Sequence, residues 1–182
     1  MRRVKGKDGE FWQGDDLRLL KSIQFWRYVK ALEYIAPTHS VLDYGCGCGY
    51  GCYIMSHKAK SIVGYDKNSE AIEKAKIHWA AANVEYVEEE PNCAFDVITL
   101  FEVLEHIEGD VEFLHHLLKK YFASLLLITM PHVSHPLDEW HYEHYTDETL
   151  SVLLRKAGWK VLESKVVEQK LRPVVWAIAL SS

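Results

Sequence analysis

Apolar residues recur along the chain at two spacings, one typical of helices and one typical of strands. From Leu17 to Ile35 they recur every three or four residues, which predicts an amphipathic helix that ends at Pro37. Seven short runs of β-branched and aromatic residues follow and predict strands. These runs cover residues 40–44, 61–65, 84–87, 95–101, 124–130, 159–167 and 174–180. The polar residues 1–14, which include glycines, are expected to be irregular.

Helical spacing separates most of the predicted strands, and this alternation indicates an α/β fold with a parallel sheet covered on both faces. Helices are expected through residues 53–57, 69–82 and 111–118 and from 146 onward, with Ser69 and Thr146 as N-caps and Gly158 as a left-handed C-cap. The last two strands have no helix between them, which predicts one antiparallel pair. Because no linker is visible, residues 1–182 are interpreted as one domain, with an N-terminal segment and helix at 1–36 and a core at 37–182.

The bulk composition fits a globular protein and narrows the possible partners. The 182 residues are 48% hydrophobic, which is ordinary for a chain that buries its own core. The net charge of -5 argues against nucleic acid as a partner, because proteins held by phosphate contacts are usually basic. The four cysteines do not form a secreted disulfide pattern, and no apolar leader or membrane-length run is visible. We therefore expect a cytoplasmic protein without a membrane span.

Candidate chemistry first enters at a glycine-rich segment directly after the first strand of the core. Gly45, Gly47, Gly49 and Gly51 alternate there, and glycine lets a backbone approach a ligand closely. The carboxyl end of a parallel strand, followed by a helix N-terminus, is where open α/β sheets bind anionic groups. Asp66 ends the next strand, where a carboxylate can accept hydrogen bonds from both hydroxyls of a ribose. Together they predict a nucleoside-bearing ligand, either a dinucleotide or an adenosyl compound.

Five segments extend this pattern over most of the chain. In order they read VLDYGCGCGYG, VGYDKNSEAIEKAK, FDVITLFEVLEHI, LLLITMP and HYTDETLSVLLRKAGWKVLE. From Val41 to Leu180 the chain thereby resembles the class I S-adenosylmethionine-dependent methyltransferases, in motif style most of all the ubiquinone-pathway O-methyltransferases. The resemblance implies a Rossmann-like fold with a seven-stranded, mostly parallel sheet in the order 3-2-1-4-5-7-6, strand 7 being antiparallel. It also implies S-adenosyl-L-methionine as the cofactor.

The resemblance further implies roles for single residues at the strand ends. Asp43 would orient the loop or the methionine amino group, and Asp66 would bind the ribose. The adenine contact would follow the third strand, at one of three successive glutamates from 88 to 90, of which Glu89 is our prediction. The other cofactor contacts are expected at Tyr44, Gly45, Cys46, Gly47, Tyr65, Lys67 and Phe101.

Residues 102–106, with the sequence EVLEH, carry the side chains expected to act at the transferring methyl group. Glu102 lies three residues before Glu105 and four before His106, so the three share one face of a helical turn. Imidazole is a suitable base near neutral pH, and His106 with Glu102 is therefore the predicted catalytic pair. Two alternatives stay open, namely a hard divalent cation held by these side chains and a helix start without a chemical role.

The same segment also resembles the small-RNA 2′-O-methyltransferases, in which such a set binds a metal together with a distant histidine. Distant histidines are available after the fifth strand, at His132, His135, His141 and His144. With Trp140, Tyr142 and Tyr145 they are candidates for an aromatic acceptor site, and a partly exposed loop is the alternative.

Two further groups have both a functional and a structural interpretation. Phe11, Trp12 and Gln13 are candidates for a lid over the cofactor, with packing against the first helix as the alternative. Three cysteines, Cys46, Cys48 and Cys52, are interpreted as small neutral space-fillers rather than as a metal site, because they are embedded in the glycine loop.

The function predicted from the sequence is transfer of a methyl group to a small-molecule or carrier-borne acceptor, at oxygen, by in-line displacement. The alternatives are an RNA 2′-O-methyltransferase and a non-catalytic module that binds the cofactor with the same fold. The acidic net charge weighs against the first alternative, and the intact glycine loop weighs against the second.

Overall fold

The structure is a computed structural model that describes residues 2–6, 9–13, 25–134, 141–169 and 173–181. Its strands are β1 (Arg2–Gly6), β2 (Gly9–Gln13), β3 (Ser40–Tyr44), β4 (Ser61–Tyr65), β5 (Val84–Val87), β6 (Val97–Phe101), β7 (Leu125–Pro131), β8 (Trp159–Val167) and β9 (Val174–Ser181). Its helices are α1 (Phe25–Ala31), α2 (Tyr50–Ser56), α3 (Ser69–His78), α4 (Asp110–Tyr121) and α5 (Asp147–Lys156), with a 3₁₀-helix at Leu104–His106.

Seven of these strands form one sheet, in the order β5-β4-β3-β6-β7-β9-β8. Numbered within the sheet along the chain, this is the expected order 3-2-1-4-5-7-6. β9 pairs antiparallel with both β7 and β8, as the missing helix between the last two strands predicts. The predicted α/β fold and its strand order are confirmed.

The chain divides into two compact units, and the first, Met1–Pro91, contains three parallel strands of the sheet. β3, β4 and β5 end together, because Tyr44 is the register partner of Tyr65, and Tyr65 that of Val87. α2 packs tightly on β4, since a Cβ added at Gly64 would lie 2.7 Å from Cys52 Sγ. The carboxyl ends of the three strands therefore form one edge, and the predicted ligand residues follow directly after it.

The expectation that the N-terminal residues are irregular is wrong. β1 and β2 pair antiparallel, with Arg2 opposite Gln13 and Gly6 opposite Gly9. A two-stranded pair forms through backbone hydrogen bonds, so a polar segment can adopt it without an apolar periodicity in the sequence. Of the helix predicted from Leu17 to Ile35, α1 is the helical part within the described residues.

The second unit, Asn92–Ser182, contains the most deeply buried strands. All residues of β6 and the last six of β7 are buried, as expected of central strands with helices on both faces. Thr146 and Thr149 form a capping box at the start of α5, which confirms the predicted N-cap. Gly158 is left-handed as predicted, at φ 92, but it lies one residue beyond the C-cap, which is Ala157. Trp159 Nε1 donates to the carbonyl of Leu114 at 3.0 Å and thereby ties β8 to α4.

α3 differs from the prediction at both ends. Its N-cap is Asn68 rather than Ser69, because the Asn68 side chain accepts a backbone N–H three residues on, at 3.2 Å. The helix ends at His78 rather than near residue 82. Just beyond it, the carbonyl of Trp79 accepts the Tyr86 hydroxyl at 2.9 Å.

Within the described residues, no helix has the length and apolarity that a membrane span requires. The interpretation of residues 1–182 as one domain stays a prediction.

Candidate active site

The loop after β3 is tied to the end of β4 by hydrogen bonds from its own backbone. The N–H groups of Gly45 and Cys46 both donate to the carbonyl of Tyr65, at 2.8 and 2.9 Å. The N–H of Gly47 donates to Asp66 Oδ2 at 2.8 Å. The free N–H groups expected to receive an anionic group of the ligand are those of the helix N-terminus behind the loop. The three N–H groups of the loop itself bind the protein and hold the loop against Asp66.

The Asp66 carboxylate is fixed on both of its oxygens. Oδ2 accepts from Gly47, and Oδ1 accepts the N–H of Asn68 at 2.9 Å. Burial raises the pKa of Asp66, while the two backbone hydrogen bonds and the charge of Lys67 limit the rise. Carboxylate oxygens have two lone pairs each, so the oriented group can accept two further hydrogen bonds. Two neighbouring hydroxyls of a ribose would use that capacity.

Three glycines of the loop, Gly45, Gly47 and Gly49, have left-handed backbones, and the surroundings of the last two differ. Gly49 has φ 83, and a Cβ there would lie 2.6 Å from Ala75 Cβ and 2.7 Å from Tyr86 Cε1, so packing requires glycine. Gly47 has φ 54, but nothing lies within 4 Å of where its Cβ would be. The backbone at Gly47 therefore faces open space while its N–H holds Asp66. This arrangement fits a nucleoside-bearing ligand that lies against the loop and bonds to the carboxylate.

The cysteines near the loop behave as buried, neutral side chains. Cys46, Cys48 and Cys52 are free thiols with exposures of 4% or less. Burial raises the pKa of Cys46 and of Cys52, which keeps both thiols protonated near neutral pH. Cys52 Sγ donates to Asp43 Oδ2 at 3.3 Å, and Asp43 is itself 1% exposed. These contacts favour the space-filling interpretation of the thiols and an orienting role for Asp43 beneath the loop.

Two tyrosines and a glutamate meet at the ends of the parallel strands. The rings of Tyr44 and Tyr65 are 4.8 Å apart in an edge-to-face arrangement. Burial raises the pKa of both phenols, and the negative charge of Glu90 beside them raises it further. Glu90 is half-buried there, whereas Glu89 is exposed. Of the three successive glutamates, the geometry therefore favours Glu90 over the predicted Glu89 as the one that faces a ligand at this edge.

In the second unit, Phe101 and Glu102 end the buried strand β6 in different environments. The Phe101 ring is buried, with its centroid 5.9 Å from that of Trp176, so its side chain belongs to the core. Glu102 has φ 58, a left-handed conformation that is rare outside glycine. Its N–H donates to the carbonyl of Thr129 at 2.8 Å, and its Oε1 accepts the Thr129 hydroxyl at 3.3 Å.

Glu105, His106 and His141 converge beside the 3₁₀-helix. One potential ligand atom from each lies within 4.8 Å of those of the other two. Glu105 and His141 are buried, while His106 is exposed and its ring centroid lies 4.7 Å from that of His141. His141 Nδ1 is 2.6 Å from Nε2 of the buried His144. The expectation that Glu102 shares one face of a helical turn with Glu105 and His106 is wrong. Glu102 precedes the 3₁₀-helix in a left-handed conformation and is not part of this set.

Backbone and side-chain contacts hold residues 141–145 in place. The N–H of Tyr142 donates to the carbonyl of Glu105 at 2.7 Å, while the Tyr142 side chain is 64% exposed. The Tyr145 hydroxyl donates to Asp110 Oδ2, and burial together with this contact raises the pKa of Tyr145. Val133 donates its N–H to the carbonyl of Tyr145 at 3.2 Å. No motif in the sequence marks Asp110.

Several predicted site residues lie where their side chains are not described. His135 and Trp140 lie outside the described residues, and so do the side chains of Phe11, Trp12 and Gln13. The lid interpretation of the N-terminal aromatic residues stays a prediction. His132, in contrast, is described and contacts Ser134 Oγ through Nδ1 at 2.9 Å, apart from the converging set.

Known proteins share the sequence pattern. The family model described as "Methyltransferase domain" matches residues 18–164. A protein of Mycolicibacterium smegmatis named "Probable S-adenosylmethionine-dependent methyltransferase" is 23% identical over 142 residues, which are 71% of this chain and 55% of that protein. A ubiquinone biosynthesis O-methyltransferase of Bradyrhizobium diazoefficiens is 33% identical over 91 residues, which are 46% of this chain and 36% of that protein. The match covers 55% of the Mycolicibacterium smegmatis protein and 57% of a similarly named protein of Mycobacterium tuberculosis, so the chain spans little more than half the length of these relatives.

The fold is likewise shared with solved structures. The N-methyltransferase NodS of Bradyrhizobium japonicum, solved with S-adenosyl-L-homocysteine, superposes with a TM-score of 0.74 over 93% of each chain. The sequences are 15% identical, so this likeness concerns the fold alone.

Proposed function

Because the chain belongs to the methyltransferase domain family, we propose that it transfers the methyl group of S-adenosyl-L-methionine to an oxygen atom of a small-molecule or carrier-borne acceptor. The observation that carries the proposal is the contact between Gly47 and Asp66. It places an oriented carboxylate beside a backbone that faces open space. The mycobacterial relative, named as S-adenosylmethionine-dependent, supports this choice of cofactor.

In this proposal most contacts to the cofactor come from residues of the first unit. Asp66 accepts hydrogen bonds from the two ribose hydroxyls, Gly47 lies under the methionine part, and Asp43 orients the loop from below. Glu90 takes the place of Glu89 as the contact for the adenine. The other proposed contacts are Tyr44, Gly45, Cys46, Tyr65, Lys67 and the backbone of Phe101.

The proposed chemistry is an in-line displacement at the methyl carbon. The cofactor supplies a methyl group on a positively charged sulfur, so the protein mainly has to align an acceptor and exclude water. When a hydroxyl is methylated, the C–O bond forms as the C–S bond breaks, and the hydroxyl proton has to leave. His106, an exposed imidazole, would accept that proton. The Glu102 carboxylate would stand beside the positive sulfur.

Two observations support oxygen as the acceptor atom and an accessible acceptor site. The Bradyrhizobium relative is named as an O-methyltransferase. In the described part of the second unit, the exposed Tyr142 ring extends from a backbone anchored to Glu105, next in sequence to His106. An exposed aromatic ring on an anchored backbone suits contact with an acceptor that arrives from solution.

A transfer assay with methyl-labelled S-adenosyl-L-methionine tests the proposed function. The acceptors would be phenols, catechols, free sugars and lipid-linked sugars, and the variant would be His106→Gln. We expect labelled product with one acceptor class, and a loss of about 10²- to 10⁴-fold in kcat for the variant with unchanged affinity for S-adenosyl-L-homocysteine. His57→Gln changes another exposed histidine and is the matched control. Transfer by His106→Gln at the rate of the control would contradict the role of His106.

The converging set of Glu105, His106 and His141 favours a second candidate, in which a divalent cation assists the transfer. Two imidazoles and one carboxylate suit borderline cations such as Zn²⁺ or Co²⁺ better than the hard cation considered from the sequence. A cation held by these residues would polarise an acceptor hydroxyl. His144, in contact with His141 Nδ1, would orient that ligand.

Titration with Co²⁺, followed by its visible absorption, tests this candidate without any acceptor. The wild-type protein should bind one Co²⁺ ion and show the visible absorption that is typical of a Co²⁺ ion with few ligands. His141→Gln should lose this absorption. His57→Gln should bind as the wild type does. If the wild-type protein develops no Co²⁺ absorption on titration, the metal-assisted candidate fails and the mechanism without a metal remains.

A further inference from the structure

The conformation of Glu102 is unusual for its place in the fold. In the described part of the chain, two residues other than glycine have positive φ, Glu102 at 58 and Phe122 at 52. Phe122 is the C-cap of α4, a position at which left-handed backbones are common. Glu102 follows a strand, so no helix end explains its conformation. Glycine or asparagine would adopt it with less strain, which indicates that the side chain at position 102 matters more than the local backbone energy.

Thr129 holds this strained residue at two points. It lies in β7, fully buried, and it is the register partner of Phe101, the residue before Glu102. Its carbonyl accepts the Glu102 N–H at 2.8 Å, and its hydroxyl donates to Glu102 Oε1 at 3.3 Å. One bond fixes the backbone and the other fixes the carboxylate. Because threonine is β-branched, few rotamers are open to its hydroxyl, and burial in a central strand leaves it little freedom.

We propose that Thr129 is the positioning residue for Glu102, holding its carboxylate in the orientation that the transferring methyl group requires. This inference rests on the proposed function, in which Glu102 stands beside the positive sulfur. It adds a residue that the motifs do not mark. It also explains why a strained glutamate ends β6, since the strain is balanced by a contact that aims its carboxylate.

The two forms of the cofactor provide a measurement that needs no acceptor. S-adenosyl-L-methionine carries a positive sulfur, while S-adenosyl-L-homocysteine carries a neutral one in an otherwise similar molecule. A carboxylate beside the sulfur therefore favours the first over the second, whereas a general loosening of the fold weakens both equally. The ratio of the two dissociation constants reports the placement of the Glu102 charge.

Calorimetric titration of both compounds into Thr129→Val tests the proposal. We expect the preference for the positively charged compound to fall roughly 3- to 10-fold, the size of the net contribution of one typical hydrogen bond, with affinity for the neutral compound unchanged. Thr129→Ser, which keeps the hydroxyl, should restore most of the preference. Glu102→Gln should lose at least as much preference as Thr129→Val.

Thr99→Val is the matched control, because Thr99 is also fully buried and lies in the neighbouring strand β6. It should leave the ratio unchanged even where it lowers the unfolding temperature. An unchanged ratio in Thr129→Val, or a ratio changed equally in Thr99→Val, overturns the positioning role. If the wild-type protein binds neither compound, it is the proposed function that fails. Thermal unfolding of each variant confirms that it is folded at the titration temperature.

Discussion

Gly47 donates its N–H to Asp66 Oδ2 at 2.8 Å, and this bond joins two residues that are 19 positions apart. The loop after β3 and the carboxylate after β4 are therefore held as one structure. Asp66 Oδ1 is held in turn by the N–H of Asn68, the residue that caps α3. A ligand that binds Asp66 meets a carboxylate that is already oriented, so little conformational entropy is lost on binding.

Replacing Asp66 with alanine should abolish cofactor binding. The change removes two charge-assisted hydrogen bonds to a ribose, each worth about 1.5–3 kcal/mol, so affinity for S-adenosyl-L-homocysteine should fall by roughly 100-fold or more. Calorimetry at fixed temperature and salt measures the loss. Glu70→Ala removes an exposed carboxylate from the first turn of α3 and should leave the affinity unchanged. Equal affinities of the two variants would contradict the assignment of Asp66.

Cofactor affinity should weaken in mild acid because of Asp66. Ribose hydroxyls donate to the ionised carboxylate, so protonation of Asp66 removes acceptors and lowers the affinity. Burial raises the pKa of Asp66, and the weakening should therefore begin at a higher pH than for an ordinary aspartate with a pKa of about 3.9. Titration of S-adenosyl-L-homocysteine at several pH values checks this. An affinity for S-adenosyl-L-homocysteine that stays constant until the pH reaches the ordinary aspartate pKa would contradict this prediction.

The raised pKa of Asp66 also affects the stability of the ligand-free protein, and this effect has the opposite pH dependence to that of cofactor affinity. A carboxyl group whose pKa is raised by folding stabilises the fold while it is protonated, and that contribution is lost as the pH rises through the raised value. The difference in unfolding free energy between wild type and Asp66→Ala should therefore change in this pH window. A difference that is flat with pH would argue against the raised pKa.

Alanine at Gly47 and at Gly49 should separate binding from stability. At Gly49 a Cβ would meet Ala75 and Tyr86 at under 3 Å, so Gly49→Ala should cost about 2–4 kcal/mol of unfolding free energy. At Gly47 the new Cβ meets open space, and the cost should be the left-handed strain of about 1–2 kcal/mol. Gly47→Ala should nevertheless lose S-adenosyl-L-homocysteine, because the methyl group enters the proposed ligand space. Denaturant unfolding and calorimetry on both variants check the pair. Full binding by folded Gly47→Ala would place the ligand elsewhere.

Thiol labelling should distinguish the buried cysteines from the exposed one. Cys93 is exposed, whereas Cys46, Cys48 and Cys52 are buried, and burial raises the pKa of Cys46 and Cys52. The native protein should therefore show one fast thiol with Ellman's reagent, and the remaining three should react only on unfolding. Cys93→Ser should remove the fast phase. Rapid reaction of a second thiol would contradict the space-filling interpretation of the loop cysteines.

The order of the elements could be predicted from the sequence because buried parallel strands and amphipathic helices leave strong periodic signals. The seven sheet strands, the Thr146 cap and the left-handed Gly158 all depend on such local signals. The β1–β2 pair left none, since a polar hairpin depends on backbone pairing. The end of α3 left no local signal either. The carbonyl of Trp79 there accepts the hydroxyl of Tyr86, a residue seven positions further along the chain.

The candidate site was predictable where a motif lies within one segment and not where distant residues meet. The glycine loop and Asp66 follow from strand ends and their spacing along the chain. The set formed by Glu105, His106 and His141 spans two segments, and choosing His141 among four histidines required the fold. Thr129 was invisible as a site residue, since a buried threonine in an apolar strand has no sequence signal of its own.

A crystal structure with S-adenosyl-L-homocysteine bound tests the central claim most directly. The account predicts ribose hydroxyls within hydrogen-bonding distance of both Asp66 oxygens, and the ligand against the backbone of Gly47. A ligand bound elsewhere on the chain, or a fully occupied ligand that leaves Asp66 in contact with protein alone, would contradict it.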